Sequence, residues 1–365
     1  MRIGIDCHVI GGMEQGSASV LLNFLEQIPP GHEYVLYSFD VSRTRRLFRG
    51  SQFIHRGIPI RNSLFRIPLL FPYLARRDKC DLFHFNYYSP PLGIRSSILT
   101  IHDVIYLDFP EFAPAMRRLQ FDSLTRLSAH TAKHILTISE YSKQRILQHF
   151  NVPESKITVI PNGLSNSWLH PDLDHIASVW SAIQHRFPRK FALTVGRFDP
   201  RKNIPQAARV IRRMVDDGLL DGLVVVGPPD FGAKSIMDRM RADDTLRYVT
   251  HSSGLSRSEL QALYSNAQFL IYLSLAEGFG MPLIEAMAMG TPILASNRTA
   301  IPEICGEAAV IVDPDDFEAT LSGAVRMIKS EETSLELREK GKQRVTHFEA
   351  EQVSEAIGRL YRQIA

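Results

Sequence analysis

The sequence predicts an α/β protein built from two successive domains, each with its own parallel sheet. The chain has 365 residues, which is more than one ordinary domain needs. Short apolar runs alternate with amphipathic stretches, a pattern typical of strand–helix–strand units and parallel sheets. This alternation stops at the turn signal Pro161-Asn162-Gly163 and a polar stretch, and it begins again near Phe191.

The apolar runs place the strands of both domains. In the first domain, residues 1–165, we expect strands at residues 3–6, 34–37, 82–85, 98–101, 134–138 and 158–160. Helices are expected between them at residues 18–28, 116–133 and 141–150. In the second domain, residues 166–345, we expect strands at residues 191–196, 223–226, 248–249, 269–273, 292–295 and 309–312.

The end of the chain is expected to be helical. Residues 331–364 predict a helix in two pieces, broken near His347. Two parallel-sheet domains of this kind place the carboxyl ends of their strands at a shared cleft, where ligands of such proteins bind. We therefore expect two domains that face each other across a cleft. The fold alone does not give the function, which must come from the sites.

Composition narrows the class of protein. An apolar fraction of 44% and a charged fraction of 22% are ordinary for a globular protein and argue against disorder. The three cysteines, Cys7, Cys80 and Cys305, lack metal-ligand spacing, so we expect reduced thiols. The longest apolar stretches, residues 67–75 and 269–276, are shorter than the roughly 20 residues of a membrane-spanning helix. We expect a cytoplasmic protein without a targeting segment.

The segment EGFGMPLIEAMAMGTP, which begins at Glu277, carries the clearest chemical signal. It follows an apolar strand, and Gly278 and Gly280 allow a tight turn and the close approach of a ligand. Pro282 suits the first turn of a helix, whose exposed amides can bind anionic or hydroxyl oxygens. The carboxylates of Glu277 and Glu285 can accept hydrogen bonds from vicinal sugar hydroxyls. The alternative is an ordinary strand–turn–helix with acids that favour the helix dipole.

This segment resembles the Glu-x7-Glu signature of the retaining glycosyltransferases of family 4, whose fold is called GT-B. The resemblance covers most of the chain, best between residues 82 and 314. Five further segments carry the resemblance, in chain order: TIHDV (100–104), TISEYSK (137–143), VIPNG (159–163), GRFDPRKN (196–203) and GLSRSELQALY (254–264).

The resemblance implies a fold and a set of binding residues. The fold is two Rossmann-like domains, with an acceptor domain at 1–165, a nucleotide-sugar domain at 166–345 and a carboxyl-terminal helix at 346–365 that returns to the first domain. Residues expected to bind the donor are Leu255, Glu277, Gly278, Phe279, Gly280, Met281, Pro282, Leu283 and Glu285. Residues expected to be catalytic are His102, Arg197, Lys202 and Glu277.

Arg197 and Lys202 follow the first strand of the second domain, with Pro200 bending the loop between them. A nucleotide sugar releases a diphosphate that carries new negative charge. A guanidinium and an ammonium group held beside it would stabilise that charge in the transition state. Basic loop residues are often only solvated cations, but the resemblance favours the diphosphate role for both. For the neighbouring Arg201 the alternative is a side chain that faces solvent.

His102 follows the apolar strand at 97–101, at the carboxyl end where ligands bind. By resemblance, this histidine contacts the transferred sugar near the reacting carbon, and either ring nitrogen could form a hydrogen bond with a sugar hydroxyl. The alternative is a histidine that satisfies a core carbonyl. Asp103 could orient the ring or contribute to acceptor binding. Near the preceding strand, the residues that could line the acceptor side are His84, Asn86 and Tyr88.

A glycine-rich loop follows the first strand. In the family, such a loop lets backbone amides approach the diphosphate. The loop here contains Gly11, Gly12 and Gly16 but departs from a regular Gly-x-Gly spacing. We expect Gly16, nearest the helix start, and then Gly12 to bind the donor. Gly11 is read as part of an ordinary strand-to-helix turn.

The predicted activity is retaining transfer of a hexose, with GDP-mannose as the favoured donor, to a glycan or lipid-linked acceptor hydroxyl in bacterial polysaccharide or lipopolysaccharide assembly. The segments at 100–104 and 137–143 most resemble bacterial mannosyltransferases. The alternatives are a UDP- or dTDP-sugar-dependent transferase of the same fold, a sugar-nucleotide epimerase, a phosphorylase and a non-catalytic partner subunit. No metal, resident cofactor or nucleic-acid partner is expected.

Residues 41–80 form a strongly basic segment, which contains ten Lys or Arg residues and one acid, Asp78. Within it, residues 64–77 interleave cations with apolar side chains, and such a surface can contact an anionic membrane and reach a lipid-linked acceptor. Pro68 and Pro72 argue against one uninterrupted amphipathic helix. The sequence leaves two interpretations: peripheral binding to the inner face of the membrane, or a helix on the sheet with a solvated charged face.

Overall fold

A computed structural model describes residues 1–10, 21–22, 24–26, 28–112, 115–230 and 232–365. The chain divides into two units. Unit 1 consists of Met1–Ser165 with Ala350–Ala365, and unit 2 consists of Asn166–Glu349. No helix among the described residues is long and apolar enough to cross a membrane.

Unit 1 contains a parallel sheet of seven strands in the order β3-β2-β1-β4-β5-β6-β7. The strands are β1 (Arg2–Asp6), β2 (Glu33–Ser38), β3 (Phe53–Gly57), β4 (Leu82–Asn86), β5 (Ser97–Thr100), β6 (His134–Thr137) and β7 (Ile157–Val159). The strand order reverses direction between β1 and β4, which are hydrogen-bonded neighbours. The loops that follow these two strands therefore diverge at the carboxyl edge of the sheet, where ligands of such sheets bind.

The sequence pattern predicts six of these strands and omits β3. This strand lies at the edge of the sheet and pairs only with β2 among the described strands. Its residues are half-buried or exposed, and Arg56 lies at the surface. An edge strand of this kind lacks the continuous buried apolar run by which the others are recognised.

Helices cover the faces of this sheet. They are Val41–Leu47, Ser63–Phe65, Phe71–Arg77, Ile105–Asp108, Ala115–Thr131, Glu140–Phe150 and Ala350–Ile364, with a π-helical turn at Arg66–Leu70 and 3-10 turns at Pro110–Phe112 and Glu154–Lys156. The helix expected at 18–28 includes positions outside the described residues. The helix Ala350–Ile364 buries a row of apolar side chains in the core of unit 1, namely Val353, Ile357, Leu360, Tyr361 and Ile364.

Unit 2 contains a parallel sheet of six strands in the order β10-β9-β8-β11-β12-β13. The strands are β8 (Phe191–Val195), β9 (Gly222–Val226), β10 (Val249–Ser252), β11 (Phe269–Tyr272), β12 (Ile293–Ser296) and β13 (Val310–Val312). All six are found where the sequence pattern places them, although β10 is shifted. It begins at Val249 and continues to Ser252, because Tyr248 ends a 3-10 turn instead of starting the strand.

The helices of unit 2 are Asn166–Leu169, Leu173–Ile183, Ile204–Asp216, Ala233–Ala242, Arg257–Asn266, Met281–Ala288, Ile301–Cys305, Phe317–Lys329 and Glu331–Val345. The 3-10 turns are Gln184–Arg186, Pro200–Lys202, Leu246–Tyr248 and Thr346–Phe348. The last of these turns breaks the carboxyl-terminal helix beside His347, as the sequence predicts. The stretch after the turn at 161–163, expected to be polar, contains the first two helices.

The helix Ile204–Asp216 fixes the loop that precedes it. Its buried side chains recur at the spacing of one helix face and pack against the sheet, with Ile204, Ala208, Ile211 and Met214 in the core of unit 2. Complete burial of a large aliphatic side chain stabilises a fold by about 1.5–3 kcal/mol. The helix start, and with it the turn Pro200–Lys202, is therefore held firmly against the sheet.

Candidate functional site

The candidate site of unit 2 lies where the strand order of its sheet reverses, between β8 and β11. The chain continues from β8 to one side of the sheet and from β11 to the other, so the loops after these strands diverge. Both loops leave the carboxyl edge, which is the usual ligand position in open parallel sheets. The loop after β8 contains Arg197 and Lys202, and the loop after β11 contains Glu277.

The structure brings Lys202 and Glu277 together. The Lys202 Nζ atom lies 2.5 Å from Glu277 Oε1, and it also donates to Tyr272 Oη at 2.9 Å. The two loops are joined through their backbones as well, since the amide of Leu275 donates to the carbonyl of Arg201 at 2.7 Å. A cation, a carboxylate and a phenol therefore form one cluster at this edge of the sheet.

Glu277 is ionised in this cluster. Its side chain is almost fully buried, and burial alone would raise the pKa of the carboxyl group. The charges of Lys202 and Arg201, together with hydrogen bonds from Lys202 and Ser274, outweigh burial and lower the pKa below its ordinary value. The cluster thus holds a carboxylate and an ammonium group in direct contact, both largely shielded from water.

Two glycines make room for the lysine. Gly196 has φ +151, and a Cβ atom there would lie 2.7 Å from Lys202 Cε. Gly227, which follows β9, also has φ +151, and a Cβ atom there would lie 2.1 Å from the carbonyl oxygen of Gly196. Any side chain at Gly227 would displace the backbone of Gly196, and one at Gly196 would displace the lysine. The close approach of the two loops therefore requires both glycines.

Arg197 has a different partner from Lys202. Its Nη1 atom donates to Asp230 Oδ2 at 2.7 Å, and both side chains are about one-third exposed. Asp199 shapes the turn between the two cations, because its Oδ1 atom accepts a hydrogen bond from the amide of Arg201 at 2.8 Å. The guanidinium group of Arg197 remains accessible to an anion at the carboxyl edge.

The helix Met281–Ala288 begins beside this cluster. Gly280 precedes it with φ +103, and Pro282 occupies its first turn, as the sequence predicts. The first turn of a helix carries partial positive charge and suits anionic oxygens. The side chains of Phe279 and Leu283 are buried, and Phe279 packs edge-on against Phe348. Phe279 and Leu283 can therefore contact a ligand only through their backbone atoms.

Glu285 lies one turn into this helix and accepts a hydrogen bond from Tyr264 Oη at 2.8 Å. Burial raises the pKa of Glu285 to about 7, even though Tyr264 and the charge of Arg257 act in the opposite direction. Near neutral pH this group is therefore partly protonated. It can donate to a ligand oxygen in one state and accept from a ligand hydroxyl in the other.

Leu255 lies on the loop that follows β10, at the same carboxyl edge of the sheet. Its side chain is half-buried. The loop ends at Ser256, which caps the helix Arg257–Asn266 through a reciprocal pair of hydrogen bonds with Glu259. β10 is separated from β8 by β9, so Leu255 is farther along the sheet than the Lys202 cluster.

In unit 1, His102 follows β5 at the carboxyl edge of the sheet. Its ring is buried beside Tyr87, with ring centroids 5.3 Å apart, and Nδ1 has no hydrogen-bond partner among the described residues. Burial lowers the pKa of His102 to about 4, so the imidazole is neutral at pH 7. Asp103 Oδ1 accepts a hydrogen bond from the amide of Ile105 at 3.2 Å.

His84 does not line the acceptor side, in contrast to the sequence expectation. Its ring is buried in the core of unit 1, where Nδ1 lies 2.8 Å from Tyr361 Oη and Nε2 lies 2.6 Å from Thr100 Oγ1. Both ring nitrogens are thus satisfied within the fold. The half-buried residues Asn86 and Tyr88 remain near the end of β4.

Gly11, Gly12 and Gly16 lie outside the described residues. Tyr272, Gly227 and Asp230, which hold the charged residues of unit 2 in place, were not predicted, and Tyr264 was predicted only as part of the segment at 254–264. The signal that could have found Tyr272 and Gly227 is their position, at or just after a strand end. Among the described residues, no group of three or more His, Cys, Asp or Glu side chains is placed to hold a metal ion.

Two family models match the chain in succession. The model described as Glycosyltransferase Family 4 matches residues 10–167, and the model described as Glycosyl transferases group 1 matches residues 182–344. Together with the two parallel sheets, these matches define a glycosyltransferase fold of the GT-B type. Within that class, the chain belongs to the family 4 glycosyltransferases.

Several of the similar curated proteins are bacterial mannosyltransferases. The chain is 30% identical over 252 residues to O-antigen chain mannosyltransferase B of Escherichia coli and 31% identical over 245 residues to O-antigen chain mannosyltransferase RfbU of Salmonella typhimurium. Each match spans 67% of this chain, but only 65% and 64% of those relatives, slightly less than two thirds of their length.

A longer match is found with the GDP-mannose:cellobiosyl-diphosphopolyprenol alpha-mannosyltransferase of Komagataeibacter xylinus. It is 26% identical over 333 residues, which span 84% of this chain and 79% of that protein. Among solved structures, HepE from Anabaena in complex with UDP and glucose has a TM-score of 0.78 and 14% identity, with 99% of both chains covered. At this identity the likeness shows the fold alone.

Proposed function

We propose that the protein transfers mannose from GDP-mannose, with retention of configuration, to a hydroxyl group of a glycan or lipid-linked acceptor in bacterial polysaccharide assembly. The observation that carries glycosyl transfer is the Lys202–Glu277 pair at the reversal point of the unit 2 sheet, next to the start of the helix Met281–Ala288. The similarity to three mannosyltransferases supports mannose as the sugar.

Each part of the site has a role in this proposal. The helix start and the cations Arg197 and Lys202 bind the diphosphate of the donor, which gains negative charge as the glycosidic bond breaks. The carboxylates Glu277 and Glu285 accept hydrogen bonds from hydroxyl groups of the donor. On unit 1, neutral His102 forms a hydrogen bond with a sugar hydroxyl through a ring nitrogen.

Retention follows from front-face substitution in this proposal. Cleavage of the donor bond runs ahead of bond formation, and the acceptor hydroxyl attacks from the face that the diphosphate leaves. A departing diphosphate oxygen takes the acceptor proton, so no protein nucleophile is needed. Lys202 and Arg197 supply positive charge where it develops, and we propose that neither a metal nor a resident cofactor takes part.

The donor is tested by a binding screen. Purified protein is heated with GDP-mannose, GDP-glucose, UDP-glucose and dTDP-glucose, and the unfolding temperature is recorded. A ligand at 100 times its Kd stabilises the folded protein by about 2.7 kcal/mol, which is readily detected. We expect the largest stabilisation with GDP-mannose. A larger effect of UDP- or dTDP-sugars would overturn the choice of nucleotide while leaving the transferase proposal in place.

The site itself is tested by comparing the transfer activity of two matched variants of unit 2. Lys234 is an exposed lysine on the helix Ala233–Ala242, and Lys234→Ala removes the same charge as Lys202→Ala. Transfer of radiolabelled mannose to lipid extracts is measured for both. We expect transfer to persist in Lys234→Ala and to fall sharply in Lys202→Ala. Equal activity of the two variants would contradict the site.

We also propose that unit 1 contacts an anionic membrane surface through the basic segment 41–80, on the cytoplasmic side where nucleotide sugars are available. Each cation near an anionic surface contributes about 1 kcal/mol, and the attraction is screened over roughly 8 Å at physiological salt. Flotation with anionic and neutral liposomes at low and high salt tests the contact. Equal recovery with both lipids would leave this segment as a solvated face.

A further inference from the structure

Unit 1 contains a cavity of about 420 Å³ at the amino edge of its sheet. The cavity lies between the end of the helix Phe71–Arg77, the start of β4 and the residues that precede β5. Its polar lining consists mainly of three cations and a serine, which are Arg76, Lys79, Arg95 and Ser96.

This cavity is separate from the candidate site. Ser96 directly precedes β5, whereas His102 follows the same strand at its opposite end. At a rise of about 3.3 Å per residue, the six steps between them correspond to about 20 Å along the sheet. A ligand bound in the cavity is therefore neither the sugar nor the diphosphate held at the carboxyl edge.

The cations that line the cavity are free to bind a ligand. The side chains of Arg76, Lys79 and Arg95 are exposed and form no hydrogen bond or ion pair with other described residues. The acid in the lining, Asp81, already accepts a hydrogen bond from the backbone amide of Arg2 at 2.8 Å. Three cations and one carboxylate leave the lining with a net positive charge, which favours an anion with several oxygen atoms.

The geometry of the cavity is built into the fold. Gly93 adopts φ +88, and a Cβ atom there would lie 2.9 Å from Pro72 Cβ, so the loop before β5 packs tightly on the helix Phe71–Arg77. Ser96 is buried, and its Oγ accepts a hydrogen bond from Lys133 Nζ at 3.3 Å. The close packing keeps Arg95 and Arg76 together in the lining of one cavity.

An exposed apolar stripe leads to this opening. Phe65, Leu69 and Tyr73 are 54%, 64% and 60% exposed and recur at intervals of four residues, so they lie along one face of the helical segment. Arg76, three residues after Tyr73, continues that face to the cavity. Large apolar side chains exposed in a row beside a cationic pocket suit a ligand with both apolar and anionic parts.

We propose that the cavity binds the phosphate group of an anionic membrane lipid, with Arg76, Lys79 and Arg95 around the phosphate and Phe65, Leu69 and Tyr73 inserted at the acyl boundary. This inference rests on the membrane contact proposed above and adds a defined headgroup site to it. The apolar stripe distinguishes a lipid phosphate from a free phosphate ion, since free phosphate has no apolar part to contact.

The test compares two variants of equal charge. One carries Arg76→Gln, Lys79→Gln and Arg95→Gln in the cavity. The other carries Arg45→Gln, Arg46→Gln and Arg49→Gln, which are exposed arginines of the same basic segment outside the cavity lining. Flotation is measured with vesicles of phosphatidylcholine containing 30% phosphatidylglycerol. We expect the cavity variant to lose at least tenfold more vesicle binding than the control variant.

Three results would overturn the lipid site. Equal losses in both variants would mean diffuse attraction by the basic segment. Phosphate-dependent thermal stabilisation that the cavity variant loses, with unchanged vesicle binding, would mean a free-anion site. No vesicle binding by the unmodified protein would overturn the membrane contact as well. Stabilisation by nucleotide sugars in each variant shows that the protein is folded, and it reports on the donor proposal separately.

Discussion

At the residue scale, the contact between Lys202 and Glu277 ties the proposed catalytic role of Lys202 to stability. In the proposed role, Lys202 stabilises a leaving diphosphate most strongly in the transition state. In the structure, the same ammonium group neutralises a buried carboxylate. We expect Lys202→Ala to lower kcat by about 10²–10³-fold and to change the affinity for the donor by less than tenfold. Steady-state kinetics and donor titration measure the two effects.

A double variant separates the two roles of Lys202. In Lys202→Ala the carboxylate of Glu277 loses its nearest cation, so Glu277→Gln is added to remove the unpaired charge. Glu277→Gln alone is the reference, because Glu277 itself is proposed to bind the donor. If Lys202 acts on the diphosphate, the double variant has a much lower kcat than Glu277→Gln alone. Equal kcat values in these two variants would show that the lysine serves only to neutralise Glu277.

The raised pKa of Glu285 predicts that the stability of the folded protein depends on pH. Its pKa is raised from 4.5 to about 7 by burial, so the folded state favours the protonated form. The resulting stability is fully present below pH 4.5 and is lost as the pH rises through 7. A difference of this size corresponds to roughly 3 kcal/mol in the free energy of unfolding. Urea unfolding between pH 5 and 8.5 measures it.

Glu285→Gln provides the control for this effect, since the amide does not titrate. We expect the difference in unfolding free energy between the natural protein and this variant to change with pH across the same window. Donor affinity should respond in the opposite direction, because an ionised Glu285 is the better acceptor for ligand hydroxyls. A difference that stays constant from pH 5 to 8.5 would mean that Glu285 keeps an ordinary pKa.

The cations of unit 2 also predict metal independence. Arg197 and Lys202 place two positive charges in the loop after β8, and these can stabilise a leaving diphosphate without a divalent ion. We expect full transferase activity in excess EDTA. Activity that disappears with EDTA and returns with magnesium or manganese would contradict this expectation.

At the scale of elements, the loops after β8 and β9 depend on glycine. A Cβ atom at Gly227 would lie 2.1 Å from the carbonyl oxygen of Gly196, so Gly227→Ala must displace backbone. We expect it to destabilise unit 2 by more than about 2 kcal/mol. Gly218 also has positive φ, but nothing lies within 4 Å of its Cβ position.

Gly218→Ala is therefore the matched control. It should lower the free energy of unfolding only by the cost of placing alanine at positive φ, about 1 kcal/mol. Chemical unfolding of both variants, followed by donor binding, tests the comparison. Similar losses in the two variants would show that the loops after β8 and β9 can separate without penalty.

The sequence predicts elements well where burial is continuous and less well elsewhere. Four strands of unit 2, namely β8, β9, β11 and β12, are recognisable because their residues form short buried apolar runs. The strand β10 is half-exposed and its predicted bounds are shifted, and the half-exposed edge strand β3 passes unrecognised. The same limit applies to the site. Charged residues such as Lys202 follow strand ends and are visible, but the supporting contact with Tyr272 depends on the packing of two distant loops.

His84 shows the opposite error, since a residue predicted to line the acceptor side is instead buried in the core of unit 1. A histidine near the end of a strand resembles a ligand-binding residue in sequence, but its partner Tyr361 lies 277 positions away on the carboxyl-terminal helix. Strand alternation alone does not reveal which face that helix covers. The satisfied core histidine could be recognised only after the two ends of the chain were placed in one unit.

At the scale of the whole molecule, the chain is organised as two units, and the first is completed by the last residues of the sequence. The helix Ala350–Ile364 buries five large or branched apolar side chains in the core of unit 1. Its Tyr361 hydroxyl lies 2.8 Å from His84 Nδ1, and Lys133 Nζ donates to the carbonyl of Ile364 at 2.5 Å. Unit 2 ends at Glu349 and does not include this helix.

Truncation after Glu349 should therefore affect the two units differently. The loss of five buried apolar side chains removes roughly 7–15 kcal/mol from unit 1, which is comparable to the total stability of a typical domain. We expect residues 1–165 to lose hydrogen-exchange protection, whereas residues 166–349 keep theirs and still bind the donor. A milder variant, Tyr361→Phe, leaves His84 without one partner and should cost about 1–3 kcal/mol in unit 1 alone. Protection that persists throughout the truncated chain, or that is lost equally from both units, would contradict the assignment of this helix to unit 1.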